Sequence, residues 1–134
     1  MSASLLHSTF TIERDFKASP AQVFRGYADP ALRRLWTDCH PDIRREHELD
    51  FRIGGGEVNR MTMPDGGVYL MEARFLDIRP DARIVYAYAM YEGARFNSAS
   101  LVAVDFAVGA AGCRMTYTEQ AAFADGDEIG RAHV

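Results

Sequence analysis

Residues 73–90 read ARFLDIRPDARIVYAYAM, and this stretch decides the fold. Extended back to Val68, its first half sets Tyr69, Met71, Ala73 and Phe75 against Leu70, Glu72, Arg74 and Leu76. Side chains alternating this way belong to a strand, where successive Cβ atoms point to opposite faces. Arg79-Pro80-Asp81-Ala82 is a turn, because proline presets the bend and aspartate tolerates turn geometry. From Ile84 the alternation resumes, with Tyr86, Tyr88 and Met90 on one face and Val85, Ala87 and Ala89 on the other. Strands joined by so short a turn pair antiparallel, since parallel pairing needs a long crossover.

The pattern repeats outward in both directions. Toward the C-terminus, residues 98–108 align Val102, Val104, Phe106 and Val108; Gly109-Ala110-Ala111-Gly112 turns the chain; residues 113–123 put Met115, Tyr117 and Glu119 on one side. Toward the N-terminus, Leu49, Phe51 and Ile53 alternate before Gly54-Gly55-Gly56, which permits a reversal or bulge. Residues 57–63 then form a strand closed by Pro64-Asp65-Gly66-Gly67, a hairpin turn. Before the strands lie two short helices. Ser19 caps the first, which opens on Pro20 and stripes Val23, Phe24 and Tyr27; Asp29 caps the second, which opens on Pro30 and stripes Leu32, Leu35 and Trp36. Residues 8–16 alternate Phe10, Ile12, Arg14 and Phe16 against polar neighbours, so one more strand leads, with Arg14 near an edge or a cavity mouth. The expected order is one strand, two helices and six strands: an α+β domain. A long meander twists and curls. Two short helices cannot cover it, so a largely apolar, ligand-sized hollow is expected.

Totals agree with one domain. The 134 residues are 48% hydrophobic and 25% charged, enough for a core without staples. A net charge of −4, with Lys17 the only lysine, offers neither the basic footprint of a nucleic-acid binder nor a polybasic membrane patch. No apolar run approaches the roughly 20 residues of a membrane span, and Cys39 and Cys113 read as reduced thiols of a cytoplasmic protein.

Little in the chain asks for catalysis. Cys39, His40, Asp42 and His47 lack any usual metal spacing and read as a polar loop before the sheet. No GxSxG elbow occurs, and no helix follows the glycine triplet to make a phosphate site. Glu119 is the exception. Alternation points it inward, where an unpaired carboxylate is costly, so it is either an acid, base or anchor, or sits at a strand end, solvated or paired with an arginine such as Arg95. Tyr86, Tyr88 and Tyr117 either orient a ligand or keep wet tips; Trp36 covers a cavity mouth or packs in the core; Arg60 is a cavity charge or exposed. The expected lining is Trp36, Phe51, Tyr69, Met71, Tyr86, Tyr88, Val102, Val104, Tyr117 and Glu119, with no catalytic residue, metal ligand or cofactor assigned.

Four segments, SPAQVFRGYADPALRRLW (19–36), FRIGGGEVNR (51–60), ARFLDIRPDARIVYAYAM (73–90) and RMTYTEQAAF (114–123), resemble the START-like, helix-grip (SRPBCC) superfamily, in its branch of heat-shock-protein-90 ATPase activator homologues. The resemblance runs across nearly the whole chain. It implies a curved sheet gripping one long C-terminal helix, which this sequence lacks: Ile129–Val134 (IGRAHV) reads like a translated sequencing adapter. The expected layout is therefore a domain over residues 1–126 and a non-native or disordered tail over 127–134, with pairing of two copies as one way to cover the exposed face. By resemblance, the leading function is binding of a small apolar molecule, with a polyketide cyclase, aromatase or hydrolase using tyrosines and Glu119 as second reading. An interaction module for a chaperone ATPase is the third. Fold alone does not choose among them.

Overall fold

The computed structural model describes residues 5–36 and 41–124, and the side chains of all of these except 34–36. Strand β1 (Leu5–Phe16) leads into helices α1 (Pro20–Ala28) and α2 (Pro30–Trp36). Six strands follow: β2 (Arg44–Leu49), β3 (Gly56–Thr62), β4 (Val68–Arg79), β5 (Arg83–Glu92), β6 (Arg95–Gly109) and β7 (Gly112–Ala124). All pair antiparallel in one open, curved sheet of order β1-β7-β6-β5-β4-β3-β2. The meander is thus sequential, except that β1 returns to lie beside the last strand.

Both helices start where their caps require. Gln22 N donates to Ser19 Oγ at 3.2 Å while Ser19 N donates to Gln22 Oε1 at 2.9 Å, a reciprocal capping box. Asp29 Oδ1 accepts from Ala31 N at 2.9 Å and so opens α2 directly behind α1. Helix α1 lays Val23, Phe24 and Tyr27 onto the inner face of β6 and β7, against Ile84, Val102, Val104, Phe106, Cys113 and Met115. Each of these buried apolar side chains contributes about 1.5–3 kcal/mol. The Cys113 thiol is free and buried, and burial raises its pKa, so it packs as a small apolar group.

The glycine triplet does what backbone crowding demands. Gly54 takes φ 83°, and a Cβ on Gly55 would stand 2.3 Å from the carbonyl oxygen of Asp50. That approach lets Gly54 N donate to Phe75 O at 2.8 Å and Phe75 N donate to Gly55 O at 3.0 Å, so the turn docks on β4.

Several expectations change. Ile53 does not continue the alternation of Leu49 and Phe51; it lies in the turn before Gly54 and is exposed. Leu32 is exposed too, and it is Arg33 that α2 turns inward. Val108 shares parity with Val104 and Phe106 yet is 85% exposed; β5 begins at Arg83 opposite Asp105, so Val108 has a strand partner only on the β7 side, at Cys113. Strands β5 and β6 extend past Met90 and Ser98 to meet at Gly93, with a bulge between Met90 and Tyr91. A second bulge in β4 between Phe75 and Asp77 puts Ile78 opposite Ile84 and returns it to the core, leaving Leu76 outside. His47 belongs to β2 and not to a polar loop; its neighbour on β3 explains why (below).

Candidate functional site

The inner face of the sheet carries a patch of hydroxyls around one carboxylate. Register places Glu119 on β7 beside Val102 on β6 and Phe10 on β1. Tyr88 on β5 stands opposite Ser100 on β6, and Tyr117 lies two residues before Glu119 on the same face. From there Tyr88 Oη donates to Glu119 Oε2 at 2.6 Å, Ser100 Oγ donates to the same oxygen at 2.6 Å, and Tyr117 Oη donates to Oε1 at 2.7 Å. Glu119 is 0% exposed. Three short hydrogen bonds from O–H groups offset much of the cost of burying this carboxyl group.

The phenols are tuned in the same direction. Burial first, and the charged neighbours after it, Glu119 among them, raise the Tyr88 and Tyr117 hydroxyls above the ordinary tyrosine range. Burial does the same to Tyr86. All three stay protonated at neutral pH. Tyr88 and Tyr117 therefore act toward Glu119 as fixed donors.

A train of rings links this patch to α1. Tyr27 meets Phe106 at 5.8 Å, Phe106 meets Phe24 at 5.6 Å, Phe24 meets Phe51 at 5.7 Å and Phe51 meets Phe75 at 4.9 Å, all edge to face. Phe75 then meets Tyr86 at 6.1 Å and Tyr86 meets Tyr88 at 6.0 Å. Edge-to-face contact at these separations is the arrangement ring quadrupoles favour. It holds Tyr88 in place from behind.

Of the residues expected to line a hollow, Tyr88, Tyr117 and Glu119 come together in this patch. Tyr69 and Met71 lie further along β4, half-buried on the same face, with Tyr69 Oη donating to Glu92 Oε1 at 3.3 Å. Tyr86, Val102 and Val104 are buried in the core, and Phe51 packs against it between Phe24 and Phe75, because α1 covers that end of the face. These four pack within or against the core. The Trp36 side chain, Cys39, His40 and the expected tail lie outside the described residues. Glu119 is neither at a strand end nor a partner of Arg95. Strand β7 runs on to Ala124, and Arg95 reaches Glu92 at 3.3 Å from the far hairpin, about 23 Å along β6 from Val102 at strand rise. Arg60 is exposed. Ser100 was missed by sequence reasoning; its position opposite Tyr88 depends on the β5–β6 register, which single-strand alternation does not supply.

A second polar cluster was also missed. Glu57 on β3 is 3% exposed and receives both Nε and a terminal nitrogen of Arg33, each at 3.1 Å. His47 Nε2 lies 2.7 Å from Glu57 Oε2, and the Arg33 guanidinium sits 4.9 Å over the Tyr27 ring. Burial works to raise the Glu57 pKa, but the hydrogen bonds and charge of Arg33, then those of His47, carry it below the ordinary 4.5. The cluster ties α2 to β2 and β3. Among the described residues no group of His, Cys, Asp and Glu is arranged to hold a metal, and no helix is long and apolar enough to cross a membrane.

An open, curved antiparallel sheet with two short helices behind its first strand defines a helix-grip domain. The chain belongs to the family described as Activator of Hsp90 ATPase homolog 1-like protein, whose profile matches residues 17–133. Solved structures agree. An uncharacterised protein of Rhizobium leguminosarum is 42% identical with a TM-score of 0.87, the match covering 93% of this chain and 83% of that one. A protein of Rhizobium loti is 46% identical with a TM-score of 0.85, covering 93% and 85%. A Chromobacterium violaceum protein, at 22% identity and TM-score 0.66 over 84% and 78%, shares the fold. No curated protein matches the chain.

Proposed function

We propose that this domain binds a small, largely apolar molecule against the inner face of β4–β7 and performs no chemistry on it. The carrying observation lies on that face: Tyr69, Met71, Tyr88 and Met90 are only half-buried, and Tyr88 among them bonds a fully buried Glu119. Apolar bodies beside a few converging polar groups are the usual make-up of a ligand site. Catalysis is the weaker reading, since proton transfer asks Glu119 to exchange a proton with a ligand while three protein hydroxyls already occupy it. The family description also raises an activator role, which predicts a stable complex with a chaperone ATPase and a faster turnover of ATP.

Titration with Nile red, a neutral apolar dye, tests the binding reading. Saturable, one-to-one emission enhancement is expected, weakened at least about tenfold in Met90→Glu, because a charge placed on apolar contact area is expensive to desolvate. Non-saturable emission, or the same affinity in Met90→Glu, would refute it.

A further inference from the structure

The two edges of the sheet are built differently. Among the described residues no strand pairs with the outer side of β1 or of β2, which end the order β1-β7-β6-β5-β4-β3-β2. Strand β2 is short, and five of its six residues are Arg, Glu or His, a composition that keeps an edge from recruiting another strand. Strand β1 lacks that protection. It runs for 12 residues without proline, pairs with β7 without a register shift, and exposes Leu5 and Leu6. Its acids and its arginine are gathered at Glu13-Arg14-Asp15, with His7 toward the other end. We propose that β1 is a dimerisation edge: two copies of this chain join β1 to β1 antiparallel, centred on Phe10, and continue one sheet across the pair.

An antiparallel edge points its N–H and C=O outward on every second residue, so a residue of one copy must face one of the same parity in the other. The side chains then select the register. With Phe10 opposite its own counterpart, the ladder spans Leu5 to Asp15; Thr9 faces Thr11, and His7 faces Glu13 of the second copy, twice by symmetry. Aromatic, threonine and opposite-charge pairs are those that stabilise neighbouring strands. An axis at Thr11 would set His7 against Asp15, but that carboxylate already accepts from Arg114 at 3.0 and 3.3 Å, whereas Glu13 reaches Arg114 only at 3.6 Å. An axis at Thr9 leaves His7 opposite Thr11 and Glu13 opposite Leu5. Axes further on shorten the ladder or, at Glu13 and Arg14, oppose like charges. A second copy is thus the occupant that the charges along β1 fit, an imidazole near one end and a carboxylate near the other, each complementary to the opposite end of an identical strand. The two-fold axis stands perpendicular to the sheet, so both inner faces look the same way and the pairing does not depend on the ligand reading above.

Sedimentation velocity of the full chain from about 1 µM to about 1 mM tests the pairing, together with hydrogen exchange of the peptide spanning residues 5–16 at both extremes. One strand pair is a small interface, so the dimer should form only toward the upper concentrations. There the 5–16 amides should exchange several-fold more slowly. His7→Glu opposes like charges at two symmetric places and should raise the dimer Kd at least about fivefold. Adding Glu13→Lys to it should return the Kd to within about twofold of the unmodified chain. His7 and Glu13 are both exposed, so neither change threatens folding. A chain that stays monomeric up to about 1 mM would overturn the proposal. So would a dimer whose 5–16 exchange is unchanged, a dimer indifferent to His7→Glu, or a double variant as weak as the single one.

Discussion

Glu57 on β3 grips Arg33 on α2 through both carboxylate oxygens, each nitrogen-to-oxygen distance being 3.1 Å. The pair is shielded, with Glu57 3% and the Arg33 side chain 14% exposed, and the forked geometry matches guanidinium to carboxylate. It fastens a seven-residue helix that could not stand alone, since isolated helices of this length are marginal in water.

Glu57→Gln should therefore lower unfolding free energy by about 3–5 kcal/mol, the usual cost of breaking a buried pair by removing one partner. Urea denaturation followed by circular dichroism measures it. A loss below about 1 kcal/mol would show the pair to be a surface-type contact.

The same pair sets an acid limit. Because the folded pKa of Glu57 lies below its ordinary 4.5, the unfolded chain takes up the proton first. The contribution is complete above about pH 4.5 and is lost as pH falls through the lowered folded value. Melting temperature should drop across that window in the unmodified chain, and Glu57→Gln should flatten the drop. An equally steep profile in the variant would assign acid sensitivity elsewhere.

The hydroxyls on Glu119 should behave as a unit. Tyr88→Phe and Tyr117→Phe each remove a bond to the buried Glu119 carboxyl group, worth about 1.5–3 kcal/mol. Because both bonds fall on one carboxylate, the double variant should depart from the sum by more than about 0.5 kcal/mol. Additivity within about 0.3 kcal/mol in a denaturation cycle would mean the two phenols act independently.

Strand β6 offers a contrast between residues of one parity. Val104→Ala, at a fully buried position, should cost about 2 kcal/mol through lost transfer energy and a residual cavity. Val108→Ala, at an 85% exposed position, should stay within about 0.5 kcal/mol. Equal effects would contradict the strand ends described above.

Much of this was legible beforehand. Ser19 and Asp29 announced both helices because caps are local chemistry: a side-chain oxygen and the free amides of the next turn. Alternation in residues 84–90 and 113–123 placed Tyr88, Tyr117 and Glu119 on one face because strand geometry has a period of two. Ile53, Val108 and Ile78 escaped that rule. Their burial depends on where a neighbouring strand stops, where a turn leaves the sheet, or where a bulge shifts the phase.

The order of elements and the inward direction of Glu119 were thus properties of the chain itself, since turns, caps and alternation act over a few residues. The partners of Glu119 and Glu57 were decided only by tertiary structure. Tyr88 and Ser100 are 31 and 19 positions from Glu119, and Arg33 is 24 from Glu57. Contacts at such separations exist only once seven strands have taken their register, because registry converts a period along the chain into neighbours across it.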